Sequence, residues 1–370
     1  MSMDMEAVVM LRDSAQRYAA DNYSFLKRRA VLADPACWSA NAWQTYGELG
    51  WLALRLPEEQ GGLNADALAI GALMEVVGAR LLMEPILASV IVGTGLLLSQ
   101  GSGAQRDRLL PGLADGSVKL AFAHVEAAKG ADGADGIGTC EVRDGRLSGA
   151  KIAVLHGDIA DHLIVAAADA QANGATRLYL VDPGAAGVEM MRYRLVDGRG
   201  AANLSFAGAA VERLAPDHSG SAPAAIDEAL DHAAAAQCAE ALGIVRALVA
   251  ATCEYLKTRK QFGRVIGSNQ ALQHRAVDMF LLQEEIAALT LAAQRALARP
   301  AIERARIVSG AKAYVCNAAR HVANEAVQMH GGLGLTEELD VSHYFRRLMV
   351  NATLFGSRDE HFTRFLESAA

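Results

Sequence analysis

From Ser221 onward this chain contains three long segments in which almost nothing stops a helix, and no other feature narrows its possible folds so far. Ser221 followed by Pro223 makes a helix start, because proline's fixed φ suits a first turn where its missing N–H is not needed. The run that follows extends roughly 36 residues to Lys260 without another proline. A second runs from about Asn269 to Arg299 and stops at Pro300; a third runs from about Ala301 to Met329 and stops at Gly331-Gly332. Helices this long, rich in Ala and Leu, hide their apolar faces by packing on one another as a bundle. Alanine-heavy faces also permit the close approach found in oligomer contacts.

Upstream the pattern changes twice. To about residue 116 the chain reads as helices with short loops. Trp43 to Leu56 is amphipathic and is closed by the turn residues Pro57-Glu58-Glu59-Gln60-Gly61-Gly62. Leu63 to Leu98 reads as two apolar helices broken near Met83-Glu84-Pro85, and Pro111 with Asp115-Gly116 ends the zone. Trp38, Trp43 and Trp51 lie in this zone and read as core. Between about 118 and 215 the runs shorten to strand length: 119–125, 138–142, 146–149, 162–166, 178–181 and 202–206, separated by Asp144-Gly145, Asp182-Pro183-Gly184 and Asp197-Gly198. Strands at roughly ten-residue spacing predict a small barrel or sandwich rather than βαβ units. No Gly-x-Gly-x-x-Gly follows a strand here, so a Rossmann nucleotide site has no support.

Charge and composition remove other classes. With 35 basic against 42 acidic residues the net charge is −7, the wrong sign for a nucleic-acid groove, although a local basic patch for a phosphate-bearing ligand remains open. The five cysteines (Cys37, Cys140, Cys238, Cys253, Cys316) are scattered, with no Cys-x-x-Cys and no histidine at ligand spacing, so neither disulfides nor a metal site is expected. No uncharged apolar run reaches the roughly 18 residues of a membrane span. The acidic start, Met1-Ser2-Met3-Asp4-Met5-Glu6, lacks the order of a signal peptide, and a cytoplasmic location is the expectation.

Two motifs in the helical zone carry chemistry. Arg259-Lys260-Gln261-Phe262-Gly263 is followed by Gln270-Ala271-Leu272-Gln273-His274, and Gln328-Met329-His330-Gly331-Gly332-Leu333-Gly334 by Arg346-Arg347. An arginine beside a glycine turn offers a planar fork to a pyrophosphate. Phe262 supplies an apolar wall, Gln270 a neutral hydrogen-bonding group, and Gly331, Gly332 and Gly334 let backbone N–H groups approach phosphate oxygens. Singly, each glycine reads as a helix cap and Arg259 as a solvated charge; the joint order favours the site.

In that order these residues closely resemble the signature of acyl-CoA dehydrogenases. Leu56-Pro57-Glu58-Glu59-Gln60-Gly61-Gly62, Gly149-Ala150-Lys151 and Ala160-Asp161 fit the same family, so the resemblance covers essentially the whole chain. It implies an α+β, mostly α fold: an N-terminal helical domain (1–117), a middle β-barrel domain (118–216) and a C-terminal four-helix bundle (217–370). It also implies that Arg259, Phe262, Gln270, Gln328, Gly331, Gly332 and Gly334 clamp the ADP half of an FAD lying in an adjacent subunit's site.

The flavin-ring half departs from the family pattern. The usual Thr-Glu is Val125-Glu126, the serine after it aligns with Ala131, and the Trp-x-Thr/Ser positions hold Ala153 and Leu155. The chemistry is affected too. Abstracting a proton α to a thioester needs a desolvated carboxylate, yet the two family positions for that glutamate hold Phe355 and Ala233, and the accompanying arginine is Ala234. No catalytic residue is therefore assigned. Asp231 matches a substrate-contact position, Glu240 and Glu126 read as packing groups, and His124, His156 and His330 read as structural.

Three functions follow from the resemblance. One is the base-lacking subunit of a heteromeric enzyme, similar to the shorter subunits of steroid-type acyl-CoA dehydrogenases, a likeness that includes Leu354-Phe355-Gly356-Ser357 and His361. The others are a homo-oligomeric dehydrogenase with an unconventional base and a flavin monooxygenase on the same fold. Losses confined to the half of the flavin site that acts in cis favour the first. Its implied partners are an acyl-CoA substrate, an electron-accepting flavoprotein and a second dehydrogenase-like subunit in a dimer or tetramer, without nucleic acid or membrane.

Overall fold

A computed structural model describes residues 5–126, 140–216 and 220–368. The chain begins with α1 (Met5–Asn22), α2 (Phe25–Ala33), α3 (Ala40–Glu48), α4 (Ala67–Arg80), α5 (Thr94–Gln100) and α6 (Gly103–Asp115). Strands β1 (Leu120–Ala123), β2 (Glu141–Arg143), β3 (Arg146–Leu155), β4 (His162–Asp169), β5 (Ala175–Val181), β6 (Val188–Arg194), β7 (Gly200–Ala210) and β8 (Glu212–Arg213) follow. The long helix α7 (Ala222–Thr258) leads through a hairpin, β9 (Lys260–Gln261) and β10 (Arg264–Val265), to α8 (Gln270–Ala296), α9 (Ala301–His330), α10 (Val341–Asn351) and α11 (Arg358–Glu367). Two compact units result. One gathers α1, α2, α4 and, from Asp231 on, α7 to α11; the other holds α3, α5, α6, the sheet and the first turns of α7.

In the helical unit the breaks fall where backbone chemistry puts them. Pro300 caps the start of α9 with an extended ψ of 150°. Gly331 ends it at φ 60°, ψ −141°, a region a β-carbon would forbid. The core is made by Ile244, Val245 and Leu248 of α7, Met279 and Ile286 of α8, Val315 and Val322 of α9, and Leu348 of α10. Helix α7 is long and apolar enough to cross a membrane by composition, but its most apolar window is 83% buried within the fold, as a core helix should be. Helices α4 and α7 cross at a reciprocal pair of glycines. A β-carbon on Gly78 would lie 2.0 Å from the Glu240 carbonyl, and one on Gly243 would lie 1.9 Å from the Glu75 carbonyl.

In the second unit the strands order as β6-β7-β3-β2-β4-β5-β8, with β1 beside β4. The β1–β4 and β2–β4 pairs are parallel and the others antiparallel. Among the described residues β6 and β8 are the free ends of this path, so the expected barrel is a curled half-barrel. Leu147, Leu163, Val165, Tyr179, Leu204 and Phe206 fill its concave core. The edge strand β6 was not foreseen: Val188-Glu189-Met190-Met191-Arg192-Tyr193-Arg194 is half-exposed and too polar for a central strand. The run expected over 138–142 is described only from Cys140.

The helical zone closes at Asp115-Gly116: Pro111 sits within α6, which ends at Gly116 in the left-handed region. One further expectation changes. The helix of the Trp43–Leu56 segment stops at Glu48, after which 49–56 winds through turns. The apolar stretch after Pro85 is helical, with a π-helical portion at Ile86–Gly93 running into α5 and every residue of that portion buried. Trp43 and Trp51 are core, with Tyr46 stacked on Trp51 at 4.6 Å between ring centres. Trp38 is half-buried beneath Lys119, whose Nζ is 5.5 Å from the ring centre.

The glycine crossing generates a stability test. Gly78→Ala and Gly243→Ala each force backbone against a methyl group, a change of the overpacking kind that costs about 1–3 kcal/mol. Thermal unfolding should show a lower midpoint for both, whereas Gly332→Ala, which meets nothing within 4 Å, should leave it unchanged.

Candidate functional site: one end of the helical unit

The two motif segments meet at one end of the bundle. Tyr255, one turn before the end of α7, stacks on His330 at the end of α9, with ring centres 4.4 Å apart. Its hydroxyl donates to the His330 carbonyl at 3.4 Å, while the His330 ring bonds back to the Ala326 carbonyl at 2.8 Å. The helix ends are thereby fastened together, and the β9–β10 hairpin and the glycine turn emerge side by side.

Each predicted residue can now be placed. Arg259 lies at the root of the hairpin, its carbonyl accepting from Ile266 N–H at 2.9 Å. Its side chain is exposed and makes no hydrogen bond or ion pair among the described residues. Phe262 and Gly263 form the hairpin tip, at φ 52° and 78°. Both central residues of such a two-residue turn take positive φ, so Asn-Gly would be the comfortable sequence. Phenylalanine there is strained, and its ring is 100% exposed. Gln270 opens α8 and is exposed. The preceding Asn269 does not cap that helix, because its side chain is bound to Arg264 (2.6 Å) and the Ile266 carbonyl (2.9 Å). The first amides of a 27-residue helix are left open. Gln328 is exposed in the last turn of α9.

The three glycines separate by cause. Gly331 is required by its dihedral angles. Gly334 is required by packing, since a β-carbon would lie 2.6 Å from the Val327 carbonyl. Gly332 is required by neither, with no positive φ and nothing within 4 Å of where its β-carbon would be. The missing side chain leaves space that nothing in this chain uses. A free guanidinium fork, an uncapped helix N-terminus and an open glycine cradle are the donor set that fits a pyrophosphate.

The segment after the cradle is anchored from below. Glu337 takes two hydrogen bonds from Arg346, at 2.6 and 3.0 Å, and lies 2.9 Å from His343 Nε2. Arg28 donates to His343 Nδ1 at 2.7 Å, so that nitrogen cannot also carry a proton. Burial, then the positive charges of Arg28 and Arg346, push the His343 pKa down to about 4.

In the sheet unit, the positions associated with a flavin ring are occupied differently. Glu126 accepts from Lys151 Nζ at 2.6 Å and Cys140 N–H at 3.1 Å, which makes it a structural carboxylate. Ala153 is exposed on a bulge of β3 at φ 53°, with its N–H donating to Asn203 at 3.0 Å. Leu155 is buried, and Ala131 lies outside the described residues. His124 stacks on Phe122 with ring centres 4.7 Å apart, and His156 bonds the Met83 carbonyl at 3.0 Å.

No carboxylate stands at either base position. Phe355 (φ 55°) offers only its carbonyl, which accepts from His361 Nε2 at 3.0 Å; Ala233 and Ala234 are fully buried. The carboxylates near them are committed. Asp231 is held by Arg304 at 2.9 Å and by Arg364, and Glu240 by Arg347 at 2.7 Å and Asn351 at 2.9 Å. Sequence reading missed Glu84, whose signal was a lone acid before proline in an apolar run. Burial raises its pKa, but Tyr46 (3.0 Å), Ser39 N–H (3.2 Å) and Met83 N–H (3.1 Å) already donate to it.

These features define a class. Residues 5–117 and 223–368 match the N-terminal and C-terminal domains of acyl-CoA dehydrogenase, and the chain belongs to the acyl-CoA dehydrogenase family, whose chemistry is oxidation of acyl-CoA thioesters. Acyl-CoA dehydrogenase IpdE2 of Mycobacterium tuberculosis is 30% identical over 362 residues, covering 97% of this chain and 96% of its own length. Among solved structures, a variant of the steroid ACAD Tcur3481–Tcur3483 is similar with TM-score 0.87, 27% identity and 98% of each chain covered. The ChsE4–ChsE5 complex from Mycobacterium tuberculosis shares the fold, with TM-score 0.87, 23% identity and coverage of 99% of this chain and 98% of that one.

Two tests follow. Glu240→Gln leaves Arg347 buried without its counter-charge, so denaturant unfolding should register a loss of about 3–5 kcal/mol. A variant equally stable but devoid of turnover would instead make Glu240 the base. The second concerns His361. Burial, then Lys312, pushes its pKa down to about 4, well below the roughly 6.5 of an unfolded histidine. The neutral ring therefore contributes stability that is complete above pH ~6.5 and is lost as pH falls toward 4. His361→Gln should make the melting temperature fall less steeply over that window, the remaining slope coming from His343 and His124, whose pKa values burial also pushes down to about 4.

Proposed function

We propose that this chain is the base-lacking subunit of a heteromeric, FAD-dependent acyl-CoA dehydrogenase that introduces an α,β double bond into an acyl-CoA thioester. The observation that carries the reading is a division within the site. At the bundle end Arg259, Phe262, Gln270 and Gln328 present exposed side chains with no hydrogen bond among the described residues, while Phe355 and Ala233 stand at the family positions for a proton acceptor. The likeness to the steroid ACAD Tcur3481–Tcur3483 points to bulky, steroid-like acyl groups as the substrate class.

When bound, FAD supplies the acceptor for the substrate's β-hydride. This chain's own part is binding. Arg259, the first amides of α8 and the Gly332 amide would hold the pyrophosphate, with Gly331, whose own N–H bonds the Gln328 carbonyl, and Gly334 shaping the turn; Phe262 would supply an apolar wall, and Gln270 and Gln328 uncharged hydrogen bonds. The partner subunit supplies the carboxylate that takes the α-proton. Asp231, Glu240 and Glu126 cannot, because each already accepts from a buried cation. Reducing equivalents leave to an electron-accepting flavoprotein, and the assembly is a dimer or tetramer.

The test is to purify the chain alone and together with a second dehydrogenase-like subunit. The expected outcome is little flavin and no turnover alone, and about half a flavin per chain in an active complex. Arg259→Ala should lower flavin retention in that complex, since a hydrogen bond to a charged group contributes about 1.5–3 kcal/mol. A yellow, stoichiometrically flavinated single chain that oxidises acyl-CoA unaided would overturn the proposal.

A further inference from the structure

We infer that Arg55 is a specificity-determining residue that binds an oxyanion carried by the acyl-CoA, a carboxylate or a phosphate; this rests on the reading of the chain as an acyl-CoA dehydrogenase subunit. Arg55 lies in the turns that follow α3, between Leu54 and Leu56, which are 1% and 0% exposed. Its guanidinium is laid against α5. A β-carbon on Gly95 would be 2.5 Å from Nη1 and 2.9 Å from Cζ, so the absence of a side chain at 95 makes the room this group occupies. Nη1 donates to the Ile91 carbonyl at 2.5 Å, and that is its one hydrogen bond among the described residues. A guanidinium carries five N–H donors. Most of them are left without a protein acceptor.

Among the described residues no carboxylate forms an ion pair with this cation. Glu228, on the first turns of α7, is near enough to be felt but forms no ion pair with it. Burial pushes the Arg55 pKa down to about 10, the mark of a positive charge held in apolar surroundings. An isolated buried charge is strongly disfavoured unless something pairs with it. Yet the side chain is not sealed: it is half-buried and keeps some accessible surface. Idle donors in a planar fork, a charge with no ion pair among the described residues and surface still accessible to solvent together describe an oxyanion site. The flanking leucines favour a carboxylate carried by the acyl chain over a phosphate that would remain in water.

The experiment uses the full-length chain with its flavin and whatever subunit co-purifies, titrated with adipyl-CoA, hexanoyl-CoA and the dephospho-CoA form of each, followed by the flavin spectrum. Wild type should prefer adipyl-CoA over hexanoyl-CoA by about tenfold, the worth of one charge-assisted hydrogen bond. Arg55→Met should abolish that preference and leave hexanoyl-CoA binding unchanged, with Arg55→Lys intermediate. If Arg55→Met instead weakens both CoA thioesters but neither dephospho form, the oxyanion is a CoA phosphate and the inference holds with that source. Unchanged affinities for all four, with only a lower melting temperature, would overturn it. If no thioester perturbs the wild-type spectrum, the functional reading fails. Arg55 is then judged by thermal shift with sodium adipate and with inorganic phosphate, where stabilisation by neither, or equal stabilisation of Arg55→Met, overturns the inference.

Discussion

The helix α7 runs through the middle of the helical unit with two of its carboxylates, Asp231 and Glu240, inside, and this constraint organises much else. Asp231 and Glu240 are fully buried, and a carboxylate can remain charged there only if cations arrive from neighbouring helices. Arg304 comes from α9, Arg364 from α11, and Arg347 with Asn351 from α10. Lys312 of α9, itself buried, joins the network through Gln237 (2.7 Å) and the Asn351 carbonyl (2.6 Å). A helix slipped by one turn would strand several of these charges, so the pairs fix the register of the bundle as well as its cohesion. The same bonds occupy the lone pairs that base chemistry would need.

Much of the scaffold was legible because its signals are local. Pro223, Pro300 and Gly331 act on the backbone beside them, and the ends of the three long helices fall within a few residues of where those signals place them. The half-barrel was read less well. Strand β6 carries Glu189, Arg192 and Arg194 because its outer edge faces water, and its period is too weak to stand out from a loop.

The site shows the same division between near and far. Arg259, Phe262 and the glycines announce themselves by residue type and spacing. What holds them does not, because Tyr255 and His330 are far apart in sequence, as are Arg28 and His343. Glu84 and Arg55 were invisible as functional candidates for the same reason. Whether a buried charge is satisfied depends on partners the sequence does not place next to it. For Glu84 three donors converge; for Arg55 the fold brings one carbonyl. The three glycines were equal in the sequence and became distinct only when dihedral angles and contacts separated Gly331 and Gly334 from Gly332.

The hairpin tip has a consequence for how such a chain must be made in the cell. Phe262 holds a large apolar ring in water at dihedral angles it does not favour, and hydrophobic surface of that kind adheres to whatever comes near. A newly synthesised copy with nothing over its tip is a sticky intermediate, open to self-association. Under the heteromer proposed above, production of this polypeptide would be best matched in amount and timing to production of the subunit that covers residue 262.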